Sequence, residues 1–116
     1  MQGDLDNAGA GERRGVVVTV YLSGPITGMA NNNAEAFEHA EHVLRAQGHE
    51  VINPLKLEHN HDKSWHSYMR ECITALMSAD LIVMLDGWME SSGAIVEHHL
   101  AISVGIKAHY WQSMED

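Results

Sequence analysis

Four short apolar runs alternate along the chain with three stretches of helical periodicity, and this alternation limits the folds open to it. The runs are Gly15 to Leu22, Glu50 to Asn53, Leu81 to Leu85 and Ile106 to Trp111. The first reads Gly-Val-Val-Val-Thr-Val-Tyr-Leu, β-branched and nearly all apolar, which suits a central strand covered on both faces. After it, Ala36, Phe37, Ala40, Val43 and Leu44 recur at helical spacing, with Asn31-Asn-Asn33 as cap candidates and Gly48 as the stop. Leu55 to Lys63 is polar and His-rich and reads as a loop. Trp65, Tyr68, Met69, Cys72, Ile73, Leu76 and Met77 then form one continuous apolar stripe, capped by Asp62 or Ser64. A third helix is expected from about Ser92 to Val104, ended by Gly105.

The order β-α-β-α-β-α-β argues for a parallel sheet joined by right-handed crossovers. The expected fold class is α/β: a flavodoxin-like (Rossmann-like) three-layer α/β/α sandwich with a four- or five-stranded parallel sheet in the order 2-1-3-4. In that order the chain reverses direction between strands one and three, and ligands bind at such a reversal. The two loops richest in Gly and Ser follow those two strands. Residues 1–14 are Gly-, Asp- and Ala-rich without periodicity and are expected to be a disordered leader, with residues 15–116 as a single domain.

Net charge is −9 with His neutral, so a nucleic-acid polymer is excluded as partner for want of a basic surface. A small anionic ligand remains open, because backbone N–H groups can hold one without basic side chains. The single Cys72 excludes an internal disulfide and fits a reducing, cytoplasmic setting. No run approaches the ~20 apolar residues of a transmembrane helix, so no membrane role is expected.

Chemistry concentrates in two segments. Ser23-Gly-Pro-Ile-Thr-Gly28 offers hydroxyls, backbone N–H groups and close approach at Gly24 and Gly28, enough to wrap a sugar or phosphate. It matches neither the P-loop nor the dinucleotide fingerprint, and an ordinary βα turn would use the same residues. Ser91-Ser-Gly-Ala-Ile-Val-Glu97 combines a helix start with a carboxylate on a mostly apolar stripe shared with Gly93, Leu100, Ala101 and Val104. An inward carboxylate is costly without partners or a task. The nearby helix N-terminus is expected to favour ionised Glu97, making it a candidate nucleophile. Ser91 or Ser92 can cap the helix. Asp80 opens the third strand as a turn or orienting residue, and Asp86 closes it nearer the expected pocket. Trp88 is available to stack on a planar ring or fill a subunit contact. His59, His61, Asp62, His66, His98 and His99 lack the spacing of a zinc motif, and adjacent helical histidines point about a hundred degrees apart. No metal or cofactor is assigned.

Tyr21-Leu-Ser-Gly-Pro-Ile-Thr-Gly28, Asn33, Phe37, Gly48-His-Glu-Val-Ile-Asn-Pro54, Trp65-x-x-Tyr-Met69, Asp80, Gly87-Trp88, Ser91-x-Gly-Ala94 and Glu97-x-x-x-Ala101 together resemble the DUF4406 family, small proteins common in phages and prophages. These in turn look like the nucleoside 2-deoxyribosyltransferase superfamily, which includes deoxynucleoside-monophosphate N-glycosidases. The resemblance covers nearly all of the chain after Gly15. It implies a homo-oligomer, a homodimer or larger, with sites near subunit contacts. It also implies Glu97 as nucleophile on the anomeric carbon, Ser91 as a sugar or phosphate ligand, and the Ser23 to Gly28 loop at the sugar end. The implied chemistry is that of a retaining glycosidase, with a glycosyl-enzyme passed to a second base or to water. Two positions depart from the superfamily pattern. Cys72 stands where an Asp usually assists protonation of the leaving base, with Glu71 next door but turned away, and His99 stands where the transferases often have Gly.

The first expectation is therefore an enzyme that cleaves or exchanges the N-glycosidic bond of a nucleoside or nucleotide. Its catalytic residue is Glu97, with Glu71 a weaker candidate. Its substrate-binding residues are Tyr21, Ser23, Gly24, Pro25, Thr27, Gly28, Asp86, Trp88, Ser91 and Gly93. The alternative is a non-catalytic nucleotide-binding module of the same fold, and a third reading is an interaction protein whose Gly/Ser loops merely turn.

Overall fold

The computed structural model describes residues 17–58 and 64–112. Strands β1 (Thr19–Ser23), β2 (Glu50–Ile52), β3 (Leu81–Met84) and β4 (Lys107–Tyr110) form one parallel sheet in the order β2-β1-β3-β4, as expected. Helices α1 (Ala34–Ala46), α2 (Trp65–Leu76) and α3 (Ser92–Ser103) are the crossovers. The first crossover runs to one side of β1 and the next two run to the other. With right-handed connections this puts α1 on one face of the sheet and α2 and α3 on the opposite face.

Side-chain alternation along the strands sorts the two cores. Val20 and Leu22 of β1, with Val83 and Leu85 of the third strand segment, pack against Phe37, Ala40 and Leu44 of α1. Tyr21, Ile82 and Met84 point the other way, onto Cys72 and Leu76 of α2 and Ala94 and Ala101 of α3. The sheet is thus buried on both faces at β1 and β3, which explains why those two strands read as unbroken apolar runs.

Several local expectations shift. β1 is observed over Thr19–Ser23, so Ser23 ends a strand instead of opening a loop. Residues 1–14, the expected leader, lie outside the described residues, as do positions 15 and 16 and the cap candidate Asp62. Ser64 caps α2, its hydroxyl accepting from the Ser67 N–H. Asn31, Asn32 and Asn33 do not cap α1 through their side chains. They form a left-handed step (φ 51°, 55° and 62°), a conformation Asn tolerates better than most residues. The Asn33 amide instead donates to the Pro25 carbonyl at 3.0 Å and ties down the loop after β1. Within the expected 55–63 loop, Pro54–Lys56 makes a 3-10 turn capped by Asn53. The apolar stripe of α2 is narrower than expected: Met77 lies past the helix end and is 44% exposed.

The loops after β1 and β3 lie against each other. The Leu85 N–H donates to the Ser23 carbonyl at 2.8 Å. A Cβ placed on Gly24 would lie 2.9 Å from the Leu85 Cβ. Only a residue without a side chain fits there. Gly24→Ala is therefore expected to lower stability by about 1–3 kcal/mol, the usual range for overpacking. Urea denaturation checks it; an unchanged midpoint would show that the two loops separate freely.

Candidate active site

A cavity of about 530 Å³ opens at the carboxyl ends of β1 and β3, within the usual size range for small-molecule sites. Tyr21 and Ser23 enter it from β1, two residues apart and so on one face. Gly24, Pro25, Ile26 and Thr27 continue the wall as the following loop. Trp65, Tyr68, Met69 and Cys72 come from α2 at spacings of three and four, one face of the helix. Glu90 through Ala94, with Glu97, close it from the start of α3.

Glu97 is the chemical centre of this cavity. It is 6% exposed. The Tyr21 hydroxyl donates to Oε2 at 2.8 Å and the Ser23 hydroxyl donates to Oε1 at 2.6 Å. Each carboxylate oxygen is thus held by one neutral donor from the same strand. Burial raises the Glu97 carboxyl above its ordinary range, and the Ser23 and Tyr21 hydrogen bonds oppose that rise without cancelling it. This corrects the expectation that the helix N-terminus would decide the matter. Glu97 is the sixth residue of α3 and faces inward, where desolvation outweighs a dipole that fades within one turn.

The neighbouring groups are weak acids. Burial pushes the Cys72 thiol up to about 11, against hydrogen bonds from Tyr21 and Tyr68. Burial raises Tyr21 and Tyr68 as well. Ser91 caps α3, its Oγ accepting from the Ala94 N–H at 3.2 Å.

Of the residues singled out from the sequence, Tyr21, Ser23, Gly24, Pro25, Thr27, Ser91, Gly93 and Glu97 line this one cavity. Gly28, Asp86, Trp88 and Glu71 do not. Asp86 is exposed, in the turn that follows Leu85. Trp88 packs on His98 with ring centroids 4.4 Å apart, and the His98 ring pairs with the Tyr110 hydroxyl at 2.8 Å. Asp80 serves the sheet, accepting from the Thr19 N–H at 2.9 Å. Of the histidine-rich segment, His59, His61 and Asp62 lie outside the described residues. Among the described residues no three His, Cys, Asp or Glu side chains converge as a metal site.

The aromatic wall was missed. Trp65, Tyr68 and Met69 read as core because the stripe that carries them is apolar and regular. Their available signal is the Trp65-x-x-Tyr-Met69 pattern, one of the segments on which the family resemblance rests. Glu90, immediately before the cap, carried no periodic signal.

The chain belongs to the DUF4406 family. The family model, described as a domain of unknown function, matches residues 18–110. Among solved structures, the chain is similar to a 2-deoxyribosyltransferase from the psychrotolerant bacterium Bacillus psychrosaccharolyticus. The TM-score is 0.63 at 20% identity, over 79% of this chain and 70% of that one. The likeness shows a shared fold. A comparison with curated proteins returned no match. Among the described residues no helix is long and apolar enough to cross a membrane.

Because the Glu97 carboxyl is raised, the protonated form's contribution to stability is complete below the ordinary carboxylate range. It is lost as pH rises through the raised value. Tyr21→Phe removes a donor to the ionised form and deepens that loss. It is expected to cost about 1.5–3 kcal/mol at pH 8, the range for a hydrogen bond to a charged group, and clearly less at pH 4. Urea unfolding at both pH values reads the difference. An equal loss at both would mean that the hydroxyl does not serve the carboxylate.

Proposed function

We propose that this protein cleaves or exchanges the N-glycosidic bond of a nucleoside or nucleotide, with Glu97 as nucleophile on the anomeric carbon. The observation that carries this reading is the buried Glu97 carboxylate, held by Tyr21 and Ser23 and facing a cavity of nucleoside size. The family membership and the fold shared with a 2-deoxyribosyltransferase support it.

The mechanism follows from the donors. Each Glu97 oxygen has two lone pairs, and one hydrogen bond leaves the other pair for attack. A bond forms from the carboxylate oxygen to the anomeric carbon as the bond to the base breaks. The glycosyl-enzyme then passes the sugar to a second base or to water, with retention. Tyr21 and Ser23 are positioning residues: they hold the carboxylate plane before attack and stabilise it as it is released. Gly24, Pro25 and Thr27, with Ser91, Gly93 and the first N–H groups of α3, would take the sugar and any 5′-phosphate. Trp65 and Tyr68 replace Trp88 as the walls against which the base stacks.

We extend the reading to a cytoplasmic homo-oligomer. Ile95, Val96 and Ile102 are exposed on the outer side of α3 and support a subunit contact there. A second reading is a nucleotide-binding module without turnover. It is favoured by Cys72, whose thiol stands on α2 where the superfamily resemblance implies an acid.

The test is base release from deoxyribonucleosides and their 5′-monophosphates, followed by chromatography. Glu97→Ala is expected to keep the fold, checked by circular dichroism, and to lower release by about 10⁴-fold or more, as when other enzymes lose their nucleophile. A folded Glu97→Ala protein as active as the wild type sinks the nucleophile. Ligand binding with no release from any compound would favour the binding module.

A further inference from the structure

The identity of the leaving group is written into the walls of the cavity, given the N-glycosidase reading above. A neutral base departs with an excess of negative charge on its ring, and enzymes usually relieve it with a positioned acid. The α2 side of this cavity presents Trp65, Tyr68, Met69 and Cys72. The thiol at Cys72 is a poor acid at neutral pH, since burial pushes it up to about 11, and the Tyr68 hydroxyl is weaker still. Among the described lining residues the carboxylates are Glu97 itself and Glu90. Glu90 is exposed at the rim, in the turn before α3. No Lys, Arg or His is among them.

The same walls are well suited to a cation. The cavity lining includes two carboxylates, Glu97 within and Glu90 at the rim, and the aromatic residues Tyr68 and Trp65, with Tyr21 fully buried behind them. Trp65 is 46% exposed at its mouth. Aromatic faces attract cations, most strongly where water is excluded. A positive charge near Glu97 also favours its ionised form, opposing the effect of burial and keeping the nucleophile charged when substrate is bound.

We propose that the preferred substrates are N-glycosides whose leaving base already carries a positive charge, such as a pyridinium or a 7-alkylated purine. No acid is then needed. A Glu97 oxygen bonds to the anomeric carbon. The carbon–nitrogen bond breaks, its electron pair goes to the ring nitrogen, and the pair cancels the ring's charge, so the base leaves neutral. In hydrolysis a water oxygen bonds to the anomeric carbon, the ester bond returns its pair to Glu97, and the water proton goes to solvent. Cys72 is then a compatible wall residue and not a defect.

The experiment compares 7-methyl-2′-deoxyguanosine with 2′-deoxyguanosine at about pH 6, where the methylated ring is cationic. Base release is followed by chromatography, with Glu97→Gln subtracting the uncatalysed rate. The wild type is expected to show a kcat/KM at least about 100-fold higher for the cationic member, the low end of what an acid catalyst contributes. Cys72→Asp should narrow that ratio by raising release of the neutral base. The wild-type ratio decides even where this variant fails to fold. Equal or faster release of 2′-deoxyguanosine overturns the proposal and leaves the glycosidase reading standing. No Glu97-dependent release from any nucleoside or nucleotide, charged or neutral, overturns both.

Discussion

A carboxylate taken out of water must be compensated, and among the described residues this is done in two opposite ways. Glu41 on α1 is 8% exposed and meets Arg45 Nε at 2.7 Å, Lys56 Nζ at 3.0 Å and the Asn53 amide at 3.1 Å. Burial would raise it, but these partners outweigh burial and hold it below its ordinary value. It is a clamp between α1 and the end of β2, most useful above the ordinary carboxylate range and lost as pH falls through its lowered value. Glu97 is buried to a similar degree, yet its hydrogen bonds come from two neutral hydroxyls. A fold that needed only a buried acid could have used the first arrangement. The second leaves the charge underneutralised and aimed at a cavity.

The rest of the architecture serves that geometry. Tyr21 and Ser23 reach the same carboxylate because β1 alternates its side chains and is central in the sheet, flanked by β2 and β3. The opposite side of the same strand, Val20 and Leu22, is fully committed to the α1 core. β1 therefore cannot rotate or slip by a residue without exchanging core and site. Two glycines let the walls approach. Gly24 admits Leu85, and Gly93 brings the start of α3 to where an added Cβ would lie 3.2 Å from the Met69 sulfur of α2. The glycine backbones thus lie directly against the side chains of Leu85 and Met69 at these two places in the wall.

Much of this was legible in the residues. The parallel sheet follows from alternation plus handedness, both general rules, so it could be read without contacts, whereas the order 2-1-3-4 was the flavodoxin-like choice among the orders those rules allow. Glu97 could be found because a charge on an apolar stripe is an anomaly that physics must explain. Ser91 could be found as a cap. The failures share a cause. Trp65, Tyr68 and Met69 obey the helical apolar pattern, and periodicity cannot tell a stripe facing a core from one facing a cavity. Trp88 looked available because loop tryptophans often are, whereas His98 and Tyr110, distant in sequence, hold it elsewhere. The direction of the Glu97 shift is not legible in the residues, because the dipole is a local property, while burial depends on α2 and β1, which only the tertiary structure supplies.

The environment of Glu97 also bears on the nucleophile role proposed for it, which makes two demands on a carboxylate. A carboxylate with a raised pKa is the more basic one, and basicity tends to raise its attacking power. Raised too far, it would be protonated and useless near neutrality. Burial supplies the first effect and the Tyr21 and Ser23 hydroxyls limit it. Cationic partners such as those around Glu41 would hold the carboxylate ionised but draw off the electron density that attack requires. Neutral donors from a rigid central strand avoid that loss, since they orient the carboxylate without neutralising it. The contrast between the two buried glutamates is therefore chemical as well as positional. It is the physical reason to read Glu97 as a reacting group and Glu41 as a structural one.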